Sequence, residues 1–364
     1  MSETIAVSGF EMHAAGESLR PAQRVITEVA EDEVVVEVAG CGLCHTDIGF
    51  LYGGVRTRQP LPLILGHEIS GVVKTAGAGC QHLLGEPVVV PAVIPCGACG
   101  DCLAGRPMIC STQVMPGNDR DGGFATHVVV PGRGLCPVPG ASADPDALLP
   151  GPSGLTLRHL AVIADAISTP YAALERSGLG EDGLAIVIGL GGVGGYAAQL
   201  AKARGARVIG LDIDADKLAR ADDFGLDRAV NVRDVDARAL KKQIRAWSNQ
   251  WGVATRNQVV VECSGTASGQ TLGFGLLTRG ATLCVVGFTL DKLPLRLSNL
   301  MALDARAIGT WGCDPSLYPA VVDLVLEGRI QLGAHTELRP LGGIQDAFDQ
   351  VRSHQAQRRL VLTP

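Results

Sequence analysis

The first 150 positions of the chain carry short apolar runs that glycine or proline interrupts. The runs are rich in valine and isoleucine and predict β-strands over 33–40, 68–77, 86–95 and 126–132. Short strands separated by turn residues are typical of twisted, barrel-like sheets. We therefore expect a mostly-β domain in this part of the chain.

The pattern changes near Ser168. Apolar runs that predict buried parallel strands follow at 184–188, 206–212, 258–263, 281–287 and 305–310. A helix is predicted over 193–205, with Gly205 at its C-terminal end. Alternation of strands and helices predicts a doubly wound parallel sheet. After position 312 we expect one further helix near 317–327, and then irregular and β-like segments.

The composition narrows the function classes. The 364 residues are 46% hydrophobic and only 4% aromatic, which suits two domains with mainly aliphatic cores. A net charge of −6 without a long basic run argues against nucleic acid as a partner. Neither an apolar stretch of about 20 residues nor a secretory signal is visible, so no membrane span or export is expected.

Eleven cysteines are present, and four of them crowd into one segment as Cys96, Cys99, Cys102 and Cys110. Short C-x₂-C spacing lets successive thiolates reach one ion, and four sulfurs complete the shell of a structural Zn²⁺. An iron–sulfur cluster and a disulfide are the alternatives. Without an export signal, this cysteine usage favours metal binding in a reducing compartment, and we expect a cytoplasmic protein.

A glycine-rich turn follows the first predicted parallel strand. GLGGVG at 189–194 fits G-x-G-x-x-G between a strand and a helix, the context that makes this short pattern specific for dinucleotides. Gly189 would allow the tight turn, Gly191 the approach of the pyrophosphate, and Gly194 close packing of helix on strand. Backbone amides at the helix start, around Gly192 and Val193, would then face the phosphates.

An acidic residue closes the next predicted strand. Asp212 lies 18 positions after Gly194, where a carboxylate binds the hydroxyls of the adenine ribose and repels a 2′-phosphate. NAD is therefore expected rather than NADP, and Lys217 could reach the same ribose. The alternative is a tight turn with a solvated aspartate.

Two further candidates for metal binding are Cys44, within AGCGLCHTD (39–47), and His67, which precedes Glu68. A cysteine and a distant histidine can bind zinc, but such a pair is more often part of a core or a surface. The residues by themselves leave the question open.

The motifs CGLCHTD, GHEISG, the four-cysteine segment, GLGGVG and LVLT occur in the order found in zinc-containing alcohol dehydrogenases. From about residue 20 onward the chain resembles this medium-chain dehydrogenase/reductase family. The resemblance implies an α/β fold with a GroES-like catalytic domain (1–165 and 313–364) and a Rossmann NAD-binding domain (166–312). It also implies an NAD-linked enzyme with one catalytic and one structural zinc, assembled as a homodimer or homotetramer.

The resemblance further implies which residues surround the catalytic zinc. Cys44 and His67 would be ligands, and Glu68 would lie behind the metal as a transient ligand. The family's third ligand position falls on Asp165, where many members carry cysteine; Asp165 could instead cap the helix that follows. Thr46 would hydrogen-bond the alcohol and take its proton.

Contacts to the cofactor are implied in the same way. His45 and Arg359 would meet the pyrophosphate. Thr169 and the backbone near Val286 and Phe288 would hold the nicotinamide.

The implied reaction is hydride transfer from a secondary alcohol to NAD. Several members place a relay histidine five residues after the zinc cysteine, but here that position is Gly49. Two other functions stay open: a zinc-free enone reductase, which the four-cysteine segment argues against, and a catalytically silent NAD-binding regulatory protein.

The substrate is suggested by three segments: 50–63, GNDRDGGFATH and RLSNLMALDA. They are similar to family members that oxidise a ring alcohol, carried as a CoA thioester, in anaerobic benzoyl-CoA degradation. Arg56 and Arg58 lie in one glycine-flanked loop, and guanidinium groups suit the phosphates of CoA. The alternative is that both arginines are merely solvated and that the alcohol carries no CoA.

Overall fold

The computed structural model describes residues 4–364. The strands, in chain order, are β1 (Ile5–Met12), β2 (Arg20–Ile26), β3 (Glu33–Gly42), β4 (Leu63–Ile64), β5 (Glu68–Ala76), β6 (Pro87–Val90), β7 (His127–Pro131), β8 (Cys136–Pro137), β9 (Leu184–Ile188), β10 (Arg207–Asp212), β11 (Arg228–Asn231), β12 (Gln258–Glu262), β13 (Thr282–Val285), β14 (Arg306–Gly309), β15 (Thr336–Pro340) and β16 (Arg359–Thr363).

The α-helices are α1 (His45–Leu51), α2 (Gly100–Leu103), α3 (Ser168–Ser177), α4 (Gly194–Ala203), α5 (Ala215–Ala219), α6 (Ala237–Gln250), α7 (Ala267–Leu276), α8 (Ser298–Leu303), α9 (Tyr318–Leu326) and α10 (Ile344–Arg352). Short 3₁₀ helices span Ala78–Leu83, Pro107–Ile109, Leu157–Ala164, Thr255–Asn257, Pro315–Leu317 and Leu341–Gly343.

The chain divides into two compact units. The first runs up to Ser168 and also includes Gly312–Gly328 and Leu332–Pro364. The second comprises Thr169–Trp311 and the short piece Arg329–Gln331.

A seven-stranded sheet forms the centre of the first unit, with the order β15-β16-β3-β5-β6-β8 and with β7 also paired to β3. The central strand β3 pairs antiparallel with β5, β7 and β16. Its register against β5 shifts between Val35 and Val36 and again between Val38 and Gly40. Such irregularities bend a strand and increase its twist, which lets one strand serve several partners in a barrel-like sheet. A smaller sheet has the order β2-β1-β4.

The second unit contains a six-stranded sheet in which every pairing is parallel. Its order is β11-β10-β9-β12-β13-β14, so the chain order reverses direction between β9 and β12. All five residues of β9 are buried, as a parallel strand covered on both faces requires. This is the doubly wound order that binds nucleotides where the strand order reverses. The predicted fold class is confirmed.

The nine predicted strands all occur, with small differences at their ends. The largest difference is at β6, which ends at Val90 because Pro91 follows and has no amide hydrogen for the sheet. The expectation of irregular and β-like structure after 327 is wrong for α10. That helix buries Ile344, Ala347, Phe348 and Val351, at the spacing of one helix face.

Within residues 4–364, none of the helices has the length and apolar character that crossing a membrane requires.

Candidate functional site

The four-cysteine segment folds back so that its sulfur atoms meet. Each sulfur lies within 4.8 Å of the others in a group formed by Cys96, Cys99, Cys102 and Cys110. The sulfurs of Cys99 and Cys102 are 3.5 Å apart, and those of Cys96 and Cys102 are 3.9 Å apart. Gly97 and Gly105 take φ values of 75° and 73° at the bends, where a side chain would be strained.

Local hydrogen bonds favour the thiolate form of Cys96. The amides of Ala98 and Cys99 donate to the Cys96 sulfur over 3.4 and 3.3 Å. The Thr112 hydroxyl, together with these two amides, lowers the pKa of Cys96 to about 5. All cysteines of residues 4–364 are free, so the alternative of a disulfide is not present. Four sulfurs within 4.8 Å of one another, with amide donors to the sulfur of Cys96, fit a structural Zn²⁺.

A second group of ligand atoms comes together from three distant parts of the first unit. Cys44 directly precedes α1, His67 and Glu68 stand at the start of β5, and Asp165 directly follows the 3₁₀ helix Leu157–Ala164. One ligand atom of each residue lies within 4.8 Å of the others. The structure therefore brings the predicted third ligand beside the other two.

The imidazole of His67 lies between two carboxylates. Asp165 Oδ2 is 3.6 Å from Nε2 and 3.5 Å from Cys44 Sγ, while Asp47 Oδ1 is 3.4 Å from Nδ1. Both ring nitrogens are buried without a hydrogen-bond partner, since these distances are long for a hydrogen bond. Burial lowers the pKa of His67, but the carboxylates of Asp47 and Asp165 outweigh it and hold that pKa well above its usual value.

This donor set fits a zinc ion. Thiolate sulfur, imidazole nitrogen and carboxylate oxygen are the atoms that bind catalytic Zn²⁺, and three protein ligands leave a position for substrate. The Nε2 atom that lacks a hydrogen bond points at the Asp165 carboxylate beside the Cys44 sulfur. The Asp165 side chain keeps 19% of its surface exposed, so the group can be reached from solvent.

Asp47, which the sequence patterns did not indicate, lies beside this ligand group. It is fully buried, and its carboxylate accepts hydrogen bonds from the amides of Cys44 over 2.9 Å and Gly66 over 3.2 Å. It therefore ties the turn that carries Cys44 to the turn that carries His67. A carboxylate behind a ligating histidine fixes the ring orientation and its tautomer. The available signal was an acidic residue three positions after Cys44.

Glu68 is completely buried, and its carboxylate is held from two sides. Arg359 donates through Nε over 3.1 Å and also through Nη2, and the Ala166 amide donates over 3.1 Å. Burial raises the pKa of Glu68 to about 7, although the Arg359 guanidinium opposes that shift. The structure thus engages Arg359 in a buried ion pair; its contact to a pyrophosphate stays a prediction.

The first turn of α1 carries two more of the predicted residues. The Thr46 hydroxyl lies 3.6 Å from the Cys44 sulfur, beside the ligand group. His45 stacks on His354, with ring centroids 6.0 Å apart. At Gly49, an added Cβ would meet Val55 at an ordinary 3.6 Å, so a side chain would fit there.

The glycine loop lies in the second unit, between β9 and α4. Gly189 has φ of 84°, and a Cβ there would come within 2.8 Å of Ser264. A Cβ at Gly194 would lie 1.7 Å from the Gly189 carbonyl oxygen, whereas one at Gly191 would meet nothing within 4 Å. Gly189 and Gly194 therefore have no room for a side chain. Gly191 borders open space at the start of α4, and the N-terminus of a helix readily binds phosphates.

Asp212 is the last residue of β10 and is only 7% exposed. Its carboxylate accepts hydrogen bonds from the amides of Leu190 over 2.6 Å, Ile213 over 2.7 Å and Asp214 over 2.9 Å. The bond to Leu190 ties β10 to the middle of the glycine loop. Asp212 therefore shapes the loop, a role that the sequence did not suggest.

The other predicted cofactor contacts also lie in the second unit. They are Gly192 and Val193 in the turn before α4, Thr169 in the first turn of α3, Lys217 in α5, and Val286 and Phe288 just after β13.

Arg56 and Arg58 lie in an exposed loop of the first unit. The Arg58 guanidinium is 3.3 Å from Asp119 Oδ1, and its backbone amide donates to Asn118 Oδ1 over 3.1 Å. The loop is thus docked on the segment around Asn118, while the side chain of Arg56 faces solvent.

Known proteins resemble the chain over most of its length. A family model described as "Alcohol dehydrogenase GroES-like domain" matches residues 30–140, and one described as "Zinc-binding dehydrogenase" matches residues 192–327. An alcohol dehydrogenase of Geobacillus stearothermophilus is 30% identical over 338 residues, which cover 92% of this chain and 93% of the relative.

Two solved structures show the same similarity. The galactitol-1-phosphate dehydrogenase of Escherichia coli superposes with a TM-score of 0.84 at 25% identity, covering 98% of this chain and 100% of that one. The cobalt- and zinc-bound thermostable alcohol dehydrogenase of Pyrobaculum aerophilum gives a TM-score of 0.82 at 25% identity, covering 99% and 100%.

Proposed function

Because the chain belongs to the zinc-type, medium-chain alcohol dehydrogenase family, we propose that it oxidises a secondary alcohol with NAD as hydride acceptor. The observation that carries this proposal is the convergence of Cys44, His67 and Asp165, with Thr46 beside them. Metal analysis combined with an NAD-reduction assay tests it. Two zinc ions per chain and turnover are expected. A silent regulatory protein would show no turnover with any alcohol, and a zinc-free reductase would contain no zinc.

The residues of the site have separate roles in the proposed oxidation. A zinc ion held by Cys44, His67 and Asp165 would supply a Lewis acid that lowers the pKa of the alcohol, and NAD would accept the hydride. The Thr46 hydroxyl takes the proton of the alcohol as it passes its own proton on to water or to the ribose. Asp47 ties together the turns that carry Cys44 and His67, and its negative charge, 3.4 Å from His67 Nδ1, favours a proton on that nitrogen and leaves Nε2 for the metal. Because position 49 is glycine, the proton leaves Thr46 without help from a side chain at that position.

NAD is proposed over NADP because of Asp212. A carboxylate at the end of the second strand accepts hydrogen bonds from the ribose hydroxyls and repels a 2′-phosphate. Gly191, next to open space at the start of α4, supports a pyrophosphate at the same loop.

Replacing Asp212 with glycine should weaken NADH binding by roughly 10- to 100-fold, because charge-assisted hydrogen bonds to the ribose are lost. The relative use of NADP should rise, but its absolute affinity should stay low, since the Leu190 amide loses its anchor in the loop. Cofactor titration by NADH fluorescence measures both. Asp214→Ala is the matched control, because Asp214 caps α5 and should leave the preference unchanged. A wild-type protein that prefers NADP would contradict the assignment.

We propose further that the alcohol is 6-hydroxycyclohex-1-ene-1-carbonyl-CoA, oxidised to its 6-oxo product in anaerobic benzoyl-CoA degradation. The three segments named above support this substrate, together with the exposed loop that carries Arg56 and Arg58. The pairing of Arg58 with Asp119 is half-exposed and weak, so both guanidinium groups remain available to phosphate. The alternative is an alcohol without CoA.

Activity on the CoA ester should exceed activity on the free acid or on cyclohexenol by orders of magnitude. Replacing both Arg56 and Arg58 with alanine should raise KM for the ester and affect kcat less, because remote phosphate contacts stabilise ground state and transition state alike. Steady-state kinetics with NAD measure this. Arg20→Ala, which removes another exposed arginine with one carboxylate partner, is the control. Equal turnover of ethanol or a simple cyclic alcohol would exclude the CoA ester while leaving the zinc dehydrogenase intact.

We also propose a cytoplasmic homodimer or homotetramer. The free cysteines of the described residues support a reducing compartment. Light scattering on the purified protein measures the assembly.

A further inference from the structure

A buried tyrosine hydroxyl joins three separate segments of the first unit. Tyr318, the first residue of α9, is fully buried. Its hydroxyl donates to the carbonyl of Ala164 and lies 3.2 Å from the Ser168 hydroxyl and 3.3 Å from the Ala92 amide, both of which donate to it. A buried hydroxyl is costly unless it is hydrogen-bonded, and this one has three partners.

Two partners of the Tyr318 hydroxyl also contact its third partner, the Ala164 carbonyl. The Ser168 hydroxyl also lies 3.0 Å from the Ala164 carbonyl, and the Ala92 amide lies 3.4 Å from it. A tyrosine hydroxyl offers one donor and two acceptor positions; Ser168 and Ala92 each share a single proton between the Tyr318 oxygen and the Ala164 carbonyl. Burial raises the pKa of Tyr318 well above its usual value, so the hydroxyl stays protonated and continues to donate to Ala164.

The network surrounds the segment that carries Asp165. Ala164 is the residue before it, and Ser168 follows three positions later. Asp165 itself has an irregular backbone, with φ of −138° and ψ of −56°, so the hydrogen-bond pattern of a helix or strand does not fix it. On its other side, the Ala166 amide is held by the Glu68 carboxylate over 3.1 Å. The peptide at Asp165 is thus held at both ends by buried polar contacts.

We propose that Tyr318 is a positioning residue for the catalytic metal centre, because its hydroxyl fixes the backbone on the N-terminal side of Asp165. The role rests on the proposed function of Asp165 as a zinc ligand. A carboxylate can bind zinc through either oxygen at about 2.0–2.2 Å, so a small backbone shift changes how well it reaches the metal. Loss of a group that orients a ligand typically lowers metal affinity by about 10- to 100-fold.

Tyr318→Phe tests this role, because it removes one oxygen and keeps the ring that fills the core. The zinc-loaded protein is mixed with a coloured chelator, and the release of each of its two zinc ions is followed over time. One zinc should leave roughly 10- to 100-fold faster than in the wild type, and the other at the wild-type rate. Ser168→Ala, which removes one partner of the hydroxyl, should show a smaller change in the same direction.

Ser248→Ala is the matched control for a purely structural effect. Ser248 is a buried hydroxyl of α6 that donates to the Val253 carbonyl and accepts from Gln258. This variant should lower the melting temperature without changing the release of either zinc. The proposal is overturned if Tyr318→Phe behaves like Ser248→Ala, or if it releases both ions faster together. A wild-type protein that holds a single zinc would instead refute the metal centre itself, so the two failures are distinguishable.

Discussion

Replacing Asp165 with asparagine should lower turnover at least about 100-fold, which corresponds to about 2.7 kcal/mol in the activation barrier. Asparagine keeps the size of the side chain but removes the negative charge and offers only a weak amide oxygen to the metal. The Cys44 sulfur and His67 Nε2, at 3.5 and 3.6 Å from the carboxylate, would be left as a two-ligand site. Zinc content should therefore fall from two ions to one, while circular dichroism should stay unchanged.

Two further variants make this result specific. Asp165→Cys should recover much of the zinc and part of the turnover, because thiolate carries the same charge and is a good zinc ligand. Asp146→Asn, which changes an exposed carboxylate paired with Arg158, should leave both zinc content and turnover at wild-type values. Full zinc occupancy and turnover in Asp165→Asn would remove Asp165 from the ligand set.

Replacing Cys99 with serine should lower stability far more than activity per folded molecule. Binding of structural zinc contributes about 10–16 kcal/mol in small peptides, and the loss of one of four ligands forfeits a part of it. A loss of about 3 kcal/mol would lower Tm by about 6–12 °C for a unit of this size. Calorimetry and metal analysis measure the effect, and the zinc that remains should be the catalytic one.

Cys80→Ser is the control for the change from thiol to hydroxyl. Cys80 is buried in the first unit and belongs to neither group of candidate metal ligands, so both zinc ions should remain. An equal loss of Tm and unchanged zinc in both variants would show that Cys99 is not a zinc ligand.

Much of the fold was predictable because its strands are strongly patterned. The run 184–188 is apolar at every position, and β9 occupies that range without a shift. The helix α10 was missed because its four buried residues alternate with glutamine, aspartate and arginine in a short segment that follows two glycines. Nine residues give too few apolar positions to establish the periodicity of a helix face among so many polar residues.

The site was predictable where the chemistry is local. The spacing of Cys96, Cys99 and Cys102 was enough to predict a metal site. The prediction of Cys44, His67 and Asp165 as ligands required the family resemblance. The ion pair of Glu68 with Arg359 joins residues 291 positions apart, and Tyr318 lies 154 positions from Ala164. No pattern within a short window reports such contacts, because the fold alone brings the partners together.

The separation of Glu68 from Arg359 also sets an order of events on the ribosome. Synthesis proceeds from the N-terminus at about 5–20 residues per second, so Arg359 follows Glu68 by roughly 15 to 60 s over 291 residues. During that interval both parts of the second unit, Thr169–Trp311 and Arg329–Gln331, are synthesised. The Glu68 carboxylate gains its counter-charge only when β16 joins β3. The ion pair of Glu68 and Arg359 thus forms only after the second unit has been synthesised.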